Sequence, residues 1–130
     1  MGVDPLADDF AKKLGEGLRF MIDHEPPYLI HCVEGKDRAG IASALIGAIM
    51  NAKTDEIYAD YVKSYENYYN VVPGTAAYEA VRKIIVDLFV MMNDGNPVDD
   101  LNVKSVALDY LTKKAGLSYT EIAAIQDILR

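Results

Sequence analysis

Residues 28–40 of the chain, YLIHCVEGKDRAG, contain the residue types that chemistry on a phosphate group requires. Five residues separate Cys32, the only cysteine, from Arg38. A cysteine thiolate is a strong nucleophile, and the planar guanidinium group of an arginine binds two oxygens of a phosphoryl group at once. Gly35 allows the backbone between them to turn and to approach a phosphate closely. The spacing therefore predicts transfer of a phosphoryl group to the cysteine.

The elements on either side of this segment would position these groups. Tyr28–Ile30 is a short apolar run that predicts a buried strand ending at His31, and a long apolar helix is predicted from Arg38 to Asn51. A strand, a loop and a helix N-terminus in succession hold an anion, because the loop N–H groups point inward and the helix dipole favours negative charge. The same groups would favour the thiolate form of Cys32.

Cys32 also has a simpler interpretation. An isolated cysteine is more often a small buried apolar residue than a nucleophile. Here the cysteine comes with glycines at fixed offsets, with Lys36 and Asp37 before the arginine, and with the strand–loop–helix context. The whole pattern favours a phosphate-binding loop.

The composition predicts one globular domain over residues 1–130. Half of the residues are hydrophobic (51%) and a quarter are charged (25%), which is typical of a chain with a packed core. The net charge of −7 argues against nucleic acid or an anionic membrane surface as a partner. It is compatible with a small phosphorylated ligand, because a local cluster of N–H groups is positive even in an acidic protein.

Cysteine content and hydropathy bear on localisation and cofactors. One cysteine cannot form an internal disulfide, so we expect a cytoplasmic protein. No signal peptide is predicted at the N-terminus, and the longest nearly apolar run, residues 41–50, is too short to span a membrane. Two histidines and one cysteine lack the spacing of metal ligands, so no metal and no other cofactor is predicted.

Six helices are predicted from apolar spacing and capping residues. The first would begin at Asp4–Pro5, the third would be capped by Thr54, and the last by a capping box of Ser118 and Glu121. Tyrosines at helical spacing in the third helix predict a packing face, and a further apolar face is predicted in the fourth, consisting of Val81, Ile84, Ile85, Leu88 and Phe89. The predicted helices cover approximately residues 4–24, 38–51, 54–69, 75–92, 103–115 and 118–130.

The fold expected from these elements is an incomplete α/β fold. A single buried strand flanked by helices belongs in a parallel sheet, and parallel strands need neighbouring strands. No other part of the chain has the pattern of a strand. We therefore expect about six helices around one strand, with a sheet-completing partner that is a missing N-terminal segment, another chain or a second copy in a swapped dimer.

The loop also resembles a known family. HCVEGKDRAG at residues 31–40 is similar to the HCxxGKDRTG signature of bacterial tyrosine-protein phosphatases, in the cysteine-dependent phosphatase superfamily. Residues 55–61 (DEIYADY) resemble the helix that follows the loop in that family, and residues 109–129 resemble its C-terminal helix pair. The resemblance implies the cysteine phosphatase fold, with this chain as its C-terminal, catalytic-loop portion and the N-terminal half missing.

The resemblance implies roles for the residues of the loop. Cys32 would be the nucleophile that forms a phosphocysteine intermediate, and Arg38 would clamp the phosphate. Asp37 would be catalytic, either as an acid or by organising the loop, and a lysine at position 36 also occurs in relatives that act on phosphoinositides. The residues that bind the substrate phosphate would be Val33, Glu34, Gly35, Lys36, Asp37 and Arg38.

Two features depart from the family pattern. Ala39 stands where the family usually has a hydroxyl residue that stabilises the departing thiolate, so hydrolysis of the intermediate should be slow unless Ser43 or a water compensates. The family's general acid comes from an upstream loop. Here Asp4 is the upstream candidate, although a helix cap is the first interpretation of it, and the loop at residues 94–100 is an alternative source. Asp8 and Asp9 are interpreted as a solvated helix face.

The function implied is hydrolysis of a phosphomonoester through a phosphocysteine intermediate. Phosphotyrosine in a protein is the first expected substrate, and phosphoinositides are the second because of Lys36. Two alternatives stay open: a module that binds phosphate or phosphoprotein with little turnover, and a structural half of a split phosphatase.

Overall fold

The computed structural model of the chain describes residues 7–24, 38–69 and 72–130. Within these ranges the chain is helical and contains no strand. The helices are α1 (Asp8–Asp23), α2 (Arg38–Ile49), α3 (Thr54–Tyr69), α4 (Ala76–Met92), α5 (Val103–Asp109), which continues as a π-helical turn (Tyr110–Lys114), and α6 (Tyr119–Leu129). The six predicted helices are confirmed. The predicted strand and its sheet lie outside the described residues, so the α/β class and the sheet-completing partner stay predictions.

Helix α2 lies at the centre of the helical assembly. It is apolar on nearly every side and packs against both α3 and α5. Small residues allow this close packing, and Leu45 and Ala48 are completely buried. The buried residues of α2 are Ala39, Ile41, Ala42, Ala44, Leu45, Ala48 and Ile49.

The start of α3 differs from the prediction. Thr54 does not cap the helix: its backbone N–H and its hydroxyl both donate to Asp100 Oδ1, each at 2.8 Å. The backbone N–H of Lys53 donates to Glu56 Oε1 at 3.2 Å. The helix is therefore capped by a carboxylate from a distant loop and by its own third residue, because the hydroxyl of Thr54 acts as a donor here.

The tyrosine face of α3 is confirmed where its side chains are described. Tyr58 and Tyr61 are buried, together with Ile57 and Val62. The remaining tyrosines, at positions 65, 68 and 69, lie outside the described side chains. The buried tyrosines pack in the same core cluster as residues of α2 and α4.

Helix α4 begins as predicted but faces the core slightly differently. Thr75 is its N-cap, and its hydroxyl oxygen accepts from the Tyr78 N–H at 3.3 Å. Ile85, Leu88 and Phe89 are buried as expected, whereas Ile84 is 41% exposed. The prediction was wrong for Ile84 because the apolar face of α4 is wider than the surface that α3 and α5 cover.

The C-terminal helices are joined by an irregular turn. The Ala115 N–H donates to the Tyr110 carbonyl at 3.1 Å, which widens the end of α5 into a π turn, and Gly116 follows at φ +79°. The predicted capping box then starts α6. The Ser118 N–H donates to Glu121 Oε1 at 2.9 Å, and the Glu121 N–H donates to Ser118 Oγ at 3.0 Å.

Helix α1 starts later than predicted. Ala7 has extended backbone dihedrals and is the N-cap, without a side-chain cap, so the helix begins at Asp8 rather than at Asp4–Pro5. Asp4 lies outside the described residues and is not the N-cap of α1. The helix ends at Asp23, and His24 follows as its C-cap, with its ring stacked on Phe20 at 3.7 Å between centroids.

The π turn and α6 hold α1 in place. Arg19 Nε donates to Glu121 Oε2 at 2.8 Å, and Arg19 Nη2 donates to the Gly116 carbonyl at 2.6 Å. A Cβ on Gly15 would lie 2.3 Å from the Ala115 carbonyl oxygen. Gly15 is therefore required for the backbones of α1 and the π turn to approach this closely.

Replacement of Gly15 by alanine is expected to destabilise the protein by about 2–3 kcal/mol, because the added methyl group meets backbone that cannot move aside. Gly17→Ala is the matched control on the same helix: nothing lies within 4 Å of a Cβ at that position. It should leave stability unchanged or raise it by up to about 1 kcal/mol through helix propensity. Chemical denaturation measures both variants, and equal stability of the two would contradict the close contact.

Candidate active site

The predicted phosphate loop leads directly into α2. Its residues from Cys32 to Asp37, which include the predicted nucleophile, Gly35, Lys36 and the aspartate predicted to be catalytic, lie outside the described residues. Arg38 is the first residue of α2, as predicted, and only its backbone is described. The structure therefore describes the helix end that would receive the phosphate, and leaves the proposed contacts of the loop as predictions.

The first turn of α2 provides a setting that favours an anion. It contains no acidic residue, and its backbone N–H groups are those that a helix leaves without intrahelical partners. Ala39 is 6% exposed and Ile41 is buried, so water has little access to that side of the turn. Because apolar surroundings screen charge weakly, the positive end of the helix dipole acts more strongly here than on an exposed helix.

Gly40 brings α2 into close contact with α3. A Cβ on Gly40 would lie 3.0 Å from Cε2 and 3.1 Å from Cδ2 of Tyr61. Gly40 therefore allows α2 to pack closely against α3. The partner is Tyr61, and only the tertiary fold shows which tyrosine of α3 reaches the start of α2.

Ser43 is poorly placed to replace a hydroxyl at position 39. It follows Ala39 by four residues on α2 and is only partly exposed. Its Cα lies about 6 Å further along the helix axis, away from the end where the loop joins. Of the two compensations considered for Ala39, the structure therefore does not favour the serine.

The loop at residues 94–100 is also poorly placed to supply a general acid. Asp100 binds Thr54, which comes five residues after the C-terminal residue of α2. The phosphate loop instead precedes the N-terminal residue of α2. Twelve residues of helix separate the two ends by about 18 Å. The backbone N–H and the hydroxyl of Thr54 lower the pKa of Asp100, which opposes a role as proton donor.

The other aspartates that are described are either bonded to the backbone or exposed. Asp99 Oδ1 accepts from the N–H groups of Leu101 and Asn102, at 2.9 and 3.1 Å. Asp8 and Asp9 lie on the solvated face of α1, as predicted, near Lys114 (3.8 Å) and Lys13 (3.5 Å) respectively. None of these carboxylates is directed by its bonding towards the start of α2.

A cluster that the sequence did not indicate lies between α3 and α4. The guanidinium carbon of Arg82 is 5.2 Å from the centroid of the Tyr58 ring, and Arg82 Nη2 is 3.6 Å from Asp55 Oδ1. Burial raises the pKa of the Tyr58 hydroxyl, and Arg82 partly offsets this effect. The cluster involves the early part of α3, where Thr54 binds Asp100. We therefore assign the cluster to packing and not to the phosphate site.

The described ranges contain neither a metal site nor a membrane-spanning helix. No three His, Cys, Asp or Glu side chains among these residues are arranged to hold a metal ion. No helix there is long and apolar enough to cross a membrane.

Comparison with known proteins identifies the family. Searches among curated proteins and among solved structures find no match. A sequence model described as "Tyrosine phosphatase family" matches residues 4–130. This match contains the whole segment from Cys32 to Arg38 and starts well upstream of it. Because the match spans nearly the entire chain, the protein belongs to the tyrosine phosphatase family.

Proposed function

We propose that this protein hydrolyses phosphomonoesters with Cys32 as the nucleophile. The observation that carries the proposal is the family match over residues 4–130, which includes the Cys32-x5-Arg38 pattern. The start of α2 at Arg38 supports it, because the predicted loop then ends at the N-terminus of a buried helix without acidic residues in its first turn.

The first step of the proposed reaction transfers the phosphoryl group to the cysteine. The thiolate of Cys32 attacks phosphorus, an S–P bond forms and the ester P–O bond breaks. The leaving oxygen takes a proton from a general acid and departs as the alcohol or phenol. Arg38 and the loop N–H groups from Val33 onward bind the phosphoryl oxygens as their charge redistributes, with Lys36 as a further contact.

The second step releases inorganic phosphate. Water attacks the phosphocysteine, the S–P bond breaks and the Cys32 thiolate is regenerated. Position 39 cannot donate a hydrogen bond to the departing thiolate, because alanine has no hydroxyl and is buried there. We therefore propose that hydrolysis of the intermediate limits the overall rate.

The first proposed substrate is phosphotyrosine in proteins, and the second is a phosphoinositide. The family supports the first, and Lys36 is the reason for the second. The net charge of −7 argues that substrate binding depends on the local site and not on attraction by the whole protein.

A binding module with little turnover is the second candidate. The observation in its favour is the buried Ala39, which weakens the hydrolytic step while leaving phosphate binding intact. In both candidates phosphate would protect Cys32 from alkylation. They differ in turnover, because the binding module would not hydrolyse an aryl phosphate in the steady state.

Replacement of Cys32 by serine tests the proposed nucleophile. A neutral hydroxyl cannot replace the thiolate, so hydrolysis of an aryl phosphate should fall by at least about a thousandfold. The melting temperature should stay close to that of the parent, which separates a chemical effect from unfolding. Activity that survives the change would show that Cys32 is not the nucleophile.

Replacement of Ala39 by threonine tests the rate-limiting step. A hydrogen bond to a charged sulfur should raise steady-state turnover about tenfold and remove the burst of product that precedes it in the parent. Ala39→Val is the matched control, because valine has the same shape as threonine without the hydroxyl. If the threonine and valine variants turn over at the same rate, the missing hydroxyl does not limit the reaction.

Replacement of Asp4 by asparagine tests the upstream candidate for the general acid. We propose Asp4 for this role because Ala7, and not Asp4, is the N-cap of α1. Loss of the acid should slow hydrolysis of phosphotyrosine about a hundredfold. An aryl phosphate whose phenol is strongly acidic should be affected much less, because its leaving group needs no proton.

The control for this experiment is Asp9→Asn, on the solvated face of α1. It should leave the rates for both substrates unchanged. An equal effect of Asp4→Asn on the two substrates, or no effect on either, would exclude Asp4 as the acid.

A further inference from the structure

We propose that Tyr61 is a positioning residue for the phosphate site, and that it acts through Gly40. The inference rests on the proposed function: its ring would fix the first turn of α2, where the phosphate loop joins the helix. Tyr61 itself would touch neither the substrate nor the reacting atoms.

The contact lies within one turn of the loop. Gly40 follows Arg38 by two residues, and a Cβ on Gly40 would approach Tyr61 Cε2 to 3.0 Å and Cδ2 to 3.1 Å. These distances are shorter than ordinary van der Waals contact, which begins near 3.5 Å for two carbon atoms. The edge of the aromatic ring therefore lies against the backbone of α2, and a methyl group added at Gly40 would require the ring or the helix to move by a few tenths of an ångström.

The ring has little freedom to retreat. Tyr61 is 3% exposed, and its neighbours Ile57 and Val62 on α3 are buried as well. The start of α3 is held separately through the bonds of Thr54 to Asp100. Because interiors are closely packed, a methyl group added at Gly40 would displace the less constrained partner.

We infer that this partner is the first turn of α2. The middle of the helix is fixed by completely buried residues, Leu45 and Ala48, whereas the first turn is at the free end of the hydrogen-bonded helix. A displacement of a few tenths of an ångström there would be passed to Arg38 and to the loop N–H groups. Groups that bind a transition state must be held within about 0.5 Å, so such a shift is large enough to matter.

Gly47 provides a matched control on the same helix. A Cβ on Gly47 would lie 3.6 Å from Cγ1 of Ile57 and 3.8 Å from Cβ of Ala52, which are ordinary contacts. Gly40→Ala and Gly47→Ala make the same chemical change on α2. They differ in whether the new methyl group meets a ring near the loop.

The experiment uses inorganic phosphate and alkylation of the single cysteine as probes. Because Cys32 is the only cysteine, the rate of alkylation of the whole protein reports on that residue alone. For each variant we would measure the phosphate concentration that half-protects Cys32, the pH midpoint of alkylation, and the melting temperature. We call the phosphate concentration that half-protects Cys32 the phosphate constant. If Tyr61 had a purely structural role, its loss would change the fraction of protein that is folded, but not the phosphate constant of the folded molecules.

Gly40→Ala should weaken protection by phosphate about tenfold and raise the pH midpoint of alkylation by about one unit, because the loop then binds both phosphate and thiolate less well. Gly47→Ala should stay within about twofold of the parent. In a Tyr61→Leu background, where the ring is absent, Gly40→Ala should change phosphate protection less than about twofold.

Three results would overturn the inference. If Gly40→Ala and Gly47→Ala have the same phosphate constant, the contact does not position the site. If Gly40→Ala is equally harmful with and without the Tyr61 ring, the effect does not pass through Tyr61. If Gly40→Ala does not fold, the Tyr61→Leu variant alone decides, and a phosphate constant equal to that of the parent in the folded Tyr61→Leu protein would overturn the inference.

Failure of the proposed function looks different. In that case phosphate does not protect Cys32 in the parent protein, and the parent does not hydrolyse an aryl phosphate. The inference about Tyr61 then falls with it. Protection in the parent with no difference between the glycine variants would leave the proposed function standing and remove only the role of Tyr61.

Discussion

The burial of α2 is the constraint on which the rest of the structure depends. A helix that is apolar on nearly every side must be covered by neighbours, and α3 and α5 provide that cover. Its far end is held as well, because the Gln126 side chain donates to the Ile49 carbonyl at 2.9 Å and Lys104 Nζ donates to Asn51 Oδ1 at 2.7 Å. A helix fixed in this way presents its N-terminus at a defined position.

The helix that precedes the loop is fixed by different contacts. Helix α1 packs on the π turn and α6 through Gly15 and through the bonds of Arg19, whereas α2 depends on α3 and α5. The two ends of the segment between residues 24 and 38 are therefore held by separate parts of the core. The irregular end of α5 contributes to this arrangement, since the wider π turn presents the Ala115 carbonyl to α1.

Helix starts and caps that depend on neighbouring residues could be predicted from the sequence. Contacts between residues that are distant in the chain could not. The start of α4 near Thr75, the capping box at Ser118 and the start of α2 at Arg38 were predicted correctly, because each is determined within one helical turn. Thr54 was misjudged because the acceptor of its hydroxyl, Asp100, is 46 residues away. The contact of Tyr61 with Gly40 needed the fold in the same way. The chemistry of the loop, in contrast, is local, so roles for Cys32 and Arg38 could be predicted from the sequence around them, and these roles stay predictions.

The placement of acidic residues is compatible with the proposed phosphate site in a protein of net charge −7. Helices α1, α3, α4 and α6 each carry an acidic residue in the first turn, which satisfies the positive end of their own dipoles. Helix α2 begins instead with Arg38 and has no acid there, a feature that it shares only with the short α5 among the described helices. The first turn of α2 therefore places no negative charge of its own at the positive end of the dipole. Because the protein as a whole is acidic, the proposed phosphate ligand would gain from this end of the helix through close contact and not through long-range attraction, which favours a small, doubly charged group over an extended anionic surface.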